Sequence, residues 1–133
     1  MKRAAMVMLA LAAAGCATPQ GALRTLAGQW GGRHVGLDLG PTGGKVAYDC
    51  AAGTIDQPLV AAADGRFSAA GTHTPGHGGP DRIGDEPPSY PARYSGRLSG
   101  ETMTLRVDVA ALDRRLGPFT LTRGAPANFL RCL

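Results

Sequence analysis

Apolar and polar residues alternate in short runs over most of the chain beyond residue 30, and this period of two predicts strands with one buried and one exposed face. In "RHVGLDLG" Val35, Leu37 and Leu39 share one face, while His34, Gly36 and Asp38 take the other. "PTGG" supplies a turn into "KVAYDC", where Val46, Tyr48 and Cys50 are expected to point inward. "ADGR" (63–66) predicts a hairpin turn between "PLVAA" and "RFSAAGTH", whose inward set is Phe67, Ala69, Gly71 and His73. "FTLTRG" and "NFLRC" read as two short closing strands, preceded by "ALDRRLGP" as a loop or single helical turn.

The strongest pair of strands is "SYPARYSGRL" with "ETMTLRVDVA". Tyr90, Ala92, Tyr94 and Leu98 alternate with polar residues on the first, as do Met103, Leu105, Val107 and Val109 on the second. Taking Ser99-Gly100 as a two-residue turn sets Gly96 opposite Met103, Tyr94 opposite Leu105 and Ala92 opposite Val107. The same register faces Arg93 with Arg106, a like-charge pair that Asp108 would relieve diagonally. Glycine and proline are plentiful, at 20 and 10 residues, and no segment sustains helical spacing. The expected fold is therefore all-β: a single small antiparallel β-barrel of about eight strands or a closely related sandwich. Closure of such a sheet removes its exposed edges.

The N-terminus follows a different rule. Lys2 and Arg3 precede an apolar run, Ala4 to Ala14, and the small residues Ala13-Ala14-Gly15 lead to Cys16. That order predicts an export signal over residues 1–15, too short for a membrane span of roughly 20 residues. With cysteine directly after the cut, the segment resembles the lipobox of bacterial lipoproteins, with Ala13 where leucine is usual. The resemblance implies diacylglycerol on Cys16, a tether over 16–25 and a domain over 26–133. It places the chain in the bacterial cell envelope, bound to a membrane through Cys16. Ala17 in place of aspartate points to the outer membrane, facing the periplasm.

Removal of residues 1–15 takes away Lys2 and Arg3, so the formal charge of +4 falls to +2. Only Lys45 then remains among the lysines, and no run of basic residues suggests a nucleic-acid partner. Three cysteines less the lipidated one leave Cys50 and Cys132, which are expected to pair in an oxidising compartment.

Two further resemblances concern the domain. Gly28 and Trp30 in "LAGQWGG" resemble the Gly-x-Trp opening of lipocalins and related barrels, with Trp30 as a core plug. Tyr48, Cys50 and Cys132 are similar in order to the Tyr-x-Cys strand and C-terminal cysteine of membrane-bound lysozyme-inhibitor lipoproteins, themselves small antiparallel barrels. Their inhibitory Ser-Gly-x-x-Tyr loop has no counterpart; in the nearest stretch, Ala92 to Gly96, the elements are reversed.

Candidate chemistry concentrates in "THTPGHGGPDRIGDEPPS", the one long segment without strand pattern, where a binding loop is expected. Its polar residues are His73, His77, Asp81, Arg82, Asp85 and Glu86. His73 and His77 could supply two metal ligands, but Pro75 and the glycines exclude the helix that such spacing needs. No nucleophile elbow, phosphate loop or spare stacking aromatic is legible, so no cofactor and no catalytic residue are expected. These features lead to the expectation of a non-enzymatic envelope lipoprotein that binds a protein or a small ligand. The alternatives are a periplasmic inhibitor of lysozyme or another hydrolase, and a metal-binding protein through His73 and His77.

Overall fold

The computed structural model describes residues 23 to 76, 84 and 86 to 132. Cys16, His77, Asp81, Arg82 and Asp85 lie outside the described residues.

Ten strands occur in the order β1 (Arg24–Thr25), β2 (Gly28–Gly32), β3 (Val35–Gly40), β4 (Gly43–Tyr48), β5 (Ala51–Ile55), β6 (Val60–Ala61), β7 (Arg66–Pro75), β8 (Tyr90–Ser99), β9 (Thr102–Val109) and β10 (Arg114–Arg123). Eight of them close an antiparallel barrel in the order β10-β2-β3-β4-β5-β7-β8-β9, and β1 pairs with β6 in a separate two-stranded ribbon. The expected barrel is present. Alternation also delivers the expected faces: Val35, Leu37, Leu39, Val46, Phe67, Ala69, Tyr94, Met103, Leu105, Val107 and Val109 are all buried.

Several elements differ from the sequence reading. "NFLRC" forms no strand, only an isolated parallel bridge between Arg33 and Asn128, and "PLVAA" shortens to the two residues of β6. Their places in the barrel are taken by β2 and β5, the short strands "GQWGG" and "AAGTI". Both are rich in glycine and alanine, which mute the apolar alternation by which strands are recognised. The turn at Asp64-Gly65 forms, with Ala62 N–H donating to the Arg66 carbonyl at 2.9 Å, yet β6 pairs with β1 rather than β7. After a 3₁₀ turn at Ala110–Leu112, β10 begins at Arg114, so the expected loop is half strand, with an irregularity between Leu116 and Phe119.

The β8–β9 hairpin is shifted by two residues from its expected register. Ser99 pairs with Thr102, leaving Gly100 and Glu101 as the turn, with Gly100 at φ +60° in the position where such turns accept glycine. Tyr94 therefore faces Val107, Gly96 faces Leu105, and Arg93 faces Asp108 instead of Arg106. A shift of two preserves which face is buried while turning a repulsive pair into an attractive one.

Cys50 does not point into the core. It occupies the turn between β4 and β5 at φ +52°, half-buried, and is bonded there to Cys132. From Gly124 the chain climbs back along the outside of β2 and β3 to reach that bond. Gly31 and Gly36 let it lie flat, since a Cβ at either would strike Ala125, Pro126 or Ala127.

The two ends of the barrel are unlike. At the end where β2 begins and β10 finishes, the β1–β6 ribbon forms a lid, with Ala61 of the ribbon and the adjoining Leu26 and Leu59 buried and Leu26 N–H donating to the Leu59 carbonyl at 2.7 Å. Trp30 plugs the interior just above, as expected of the Gly-x-Trp segment. The other end is a mouth.

Candidate functional site

Around the mouth stand the turn at Arg33-His34, the turn at Asp49-Cys50, the end of β7, the start of β8 and the 3₁₀ turn ending at Asp113. Among the described residues, His34, Cys50 and Asp113 are the non-glycine residues with positive φ, at +71°, +52° and +49°, and all three lie here. Such conformations are uncommon for side chains other than asparagine, aspartate and histidine, and they collect at functional sites.

Hydrogen bonds over-determine two of these turns. His34 N–H donates to the Asn128 carbonyl at 2.6 Å and Cys50 N–H to the Leu130 carbonyl at 2.9 Å. Asp49 binds twice, with one oxygen 2.5 Å from His34 Nδ1 and the other accepting from Leu130 N–H at 2.7 Å. The C-terminal segment thus fixes the rim on which the His34–Asp49 pair stands.

Within the rim lies a cavity of about 440 Å³, lined by His34, Asp49, Tyr48, His73, Arg114 and Phe119 among others. Its floor is aromatic: the Tyr48 ring centroid is 5.6 Å from that of His73 and 6.0 Å from that of Phe119. Beneath, the Tyr48 hydroxyl donates to that of Tyr94, which donates to the Thr72 carbonyl at 2.6 Å. Gly53 and Gly71 make room for this stack, because a Cβ at the first would meet both hydroxyls and at the second the Tyr94 ring. Burial raises the Tyr48 phenol far above its ordinary range, reinforced by Tyr94, and pushes Tyr94 up to about 12. Both phenols stay protonated near neutrality, so they act as a packed hydrogen-bonded floor and not as bases.

His73 is the odd group of the interior. The sequence places it both on an inward strand face and in the binding loop; β7 runs on to Pro75, and His73 is only 2% exposed. Among the described residues its Nδ1 is buried without a hydrogen-bond partner. A polar atom left so costs about 1–3 kcal/mol unless something completes it. Burial first, and then the Arg114 guanidinium, hold its pKa below the ordinary histidine range, so the ring is neutral near pH 7.

That shift makes stability depend on pH in a defined direction. Below about pH 6.5 the unfolded chain takes up the histidine proton while folded His73 does not. The contribution of His73 is therefore complete above that pH and is lost as pH falls toward the lowered folded value. Urea midpoints measured from about pH 7 to about pH 5 should fall more steeply for the wild type than for His73→Leu. Equal slopes would refute this account of the buried ring.

Of the residues singled out in the sequence, Glu86 is exposed and does not line the cavity. Asp49, Arg114 and Phe119 were not singled out; they come from a turn, an assumed loop and a closing strand that share no local pattern. Among the described residues, no group of three or more His, Cys, Asp or Glu side chains is placed to hold a metal ion. Ala92 to Gly96 lie within β8 with Tyr94 fully buried, so this stretch presents no loop. A larger hollow of about 680 Å³ lies on the outer wall beside the C-terminal segment. Its hydroxyls pair with one another, Thr54 with Thr72 at 2.8 Å and Thr74 with Ser89 at 2.6 Å, and Asp38 and Lys45 also line it.

Comparison of the chain with protein-family models, with curated proteins and with solved structures gives no match.

Proposed function

We propose that this chain is a non-enzymatic, lipid-anchored protein of the bacterial envelope whose barrel mouth holds a small ligand with an apolar body and an anionic end. The observation that carries this reading is the unpartnered, buried Nδ1 of His73 in a cavity that also holds Arg114. About 440 Å³ falls within the roughly 300–1,000 Å³ usual for small-molecule sites. Tyr48, Leu116, Phe119 and Pro75 supply the apolar wall, and Arg114 supplies a fixed positive charge for a carboxylate, sulfonate or phosphate. Acylation of Cys16 supplies the anchor, and the described chain starts at the lidded end, opposite the mouth.

Titration with 1-anilinonaphthalene-8-sulfonate, an apolar ring system bearing one anion, tests the site. Saturable fluorescence enhancement with one site per chain is expected. Arg114→Gln should weaken it about tenfold, corresponding to one charge-assisted hydrogen bond of about 1.5 kcal/mol. Non-saturating enhancement, or saturation untouched by both Arg114→Gln and His73→Leu, would remove the mouth as a binding site. Intact mass of natively expressed protein tests the anchor separately, since acylation of Cys16 adds a fatty-acyl mass and the accompanying signal-peptidase cut removes residues 1–15.

A further inference from the structure

No basic run exists in the sequence, but the barrel assembles a basic surface from single arginines on three strands. Alternation turns Arg66 of β7, Arg93 and Arg97 of β8 and Arg106 of β9 to the outer wall, all exposed. Register then gathers them. Arg66 lies directly across from Arg97, Ser68 from Ser95, and Ser95 from Arg106. Arg66, Arg97 and Arg106 line a shallow cleft with Ser68 and Ser95, and Arg93 Nη1 donates to Ser68 Oγ at 2.9 Å.

Paired like charges across a ladder are unfavourable and survive best where an anion or solvent screens them. The carboxylates here are too few. Asp64 reaches Arg66 at 3.5 Å, and Asp108 lies opposite Arg93 while pairing with Arg115 at 3.2 Å. Among the described residues two acids thus stand against five arginines, leaving the face positive.

An independent observation indicates what lies against it. Val60 of β6 lines the same cleft, and β6 pairs with β1, where the described chain begins. Leu23, 71% exposed, and the exposed Arg24 stand where the described chain begins. From Cys16 to Leu23 the chain can span at most roughly 25 Å, so an acylated Cys16 keeps this face close to the headgroups of its own bilayer.

We propose that the arginine face of β7, β8 and β9 docks on anionic phospholipid headgroups of the membrane in which Cys16 is anchored. The geometry of this docking rests on the reading of Cys16 as acylated; the charge complementarity does not. Docked so, the barrel lies on its side wall and its mouth stays free at one end.

The test compares the natively expressed full chain with the triple variant Arg66→Gln/Arg97→Gln/Arg106→Gln. Each is cosedimented with phosphatidylcholine vesicles and with vesicles containing phosphatidylglycerol. Each arginine near an anionic surface contributes a factor of about five in partitioning. The preference for phosphatidylglycerol should therefore fall by roughly a hundredfold in the triple variant and should shrink in the wild type at high salt. A charge-matched control, Lys45→Gln/Arg33→Gln/Arg131→Gln, should keep it. Equal binding to both vesicles, or equal loss in the control, overturns the proposal. Displacement by millimolar inorganic phosphate at constant ionic strength also overturns it, by revealing a pocket for one free anion. The intact mass of the same sample separates the two readings: an unacylated chain with the preference supports docking without the anchor, whereas an acylated chain without the preference overturns docking alone.

Discussion

Cys50→Ser combined with Cys132→Ser is expected to lower the stability of the barrel by about 4 kcal/mol. The bond joins residues separated by 82 positions, so its loss returns the entropy of a long loop to the unfolded chain. Serine preserves the β-carbon at Cys50, so the strain of its positive φ is the same in both proteins and the difference reports the crosslink. For a domain of this size such a loss is a large share of the roughly 5–15 kcal/mol that holds a native state together. The C-terminal segment should respond first. It forms no strand, and a few hydrogen bonds from Asn128 and Leu130 to the turns at His34 and Cys50 hold it to the rim. Urea unfolding measures the loss, and hydrogen exchange should show the amides of His34, Cys50, Asn128 and Leu130 exposed well before those of β8 and β9. A change in stability below about 1 kcal/mol, or uniform exchange, would mean that the segment is held without the bond.

Trp30→Ala should cost about 3–5 kcal/mol. Trp30 is 1% exposed and is the sole tryptophan. Its Nε1–H donates to the Ala27 carbonyl at 3.2 Å, and the Arg123 guanidinium stands 4.6 Å from the ring centroid. It also lies opposite Arg123 in the register that joins β2 to β10 and closes the barrel. Removing the indole therefore opens a cavity beside the lid and strips the cation of its aromatic partner at that seam. Trp30→Phe keeps most of the apolar contact and loses the hydrogen bond, so its cost should be clearly smaller. Circular dichroism through a denaturant series measures both variants independently of tryptophan emission. A cost below about 1 kcal/mol for the alanine variant would place Trp30 outside the core.

Much of the candidate site was illegible in the sequence for an identifiable reason. His73 was visible as an inward residue because alternation along "RFSAAGTH" carries it, yet nothing nearby in sequence names its neighbours. Tyr48 reaches it from β4 and Arg114 and Phe119 from β10, and Asp49 meets His34 across a separation of 15 residues. Arg66, Arg93, Arg97 and Arg106 look like scattered charges until the register of β7, β8 and β9 gathers them. The barrel has eight strands, as the sequence suggests, but β2 and β5 stand in it where "PLVAA" and "NFLRC" were expected, because glycine and alanine in β2 and β5 blur the pattern that valine and leucine sharpen elsewhere.

By itself the sequence determined which face of each regular strand is buried, since pleating alternates side chains through local geometry alone. It determined the all-β class and pointed to the pairing of Cys50 with Cys132 as well, whereas closure into a barrel and not a sandwich came from the tertiary structure. Tertiary structure alone decided the β8–β9 register, the exclusion of "NFLRC" from the sheet, the lid at one end and the set of residues at the mouth. Those outcomes depend on barrel closure and on one turn forming at Gly100-Glu101 rather than one residue earlier. They are properties of distant segments meeting, and a pattern with a period of two repeats identically whichever partner a strand meets.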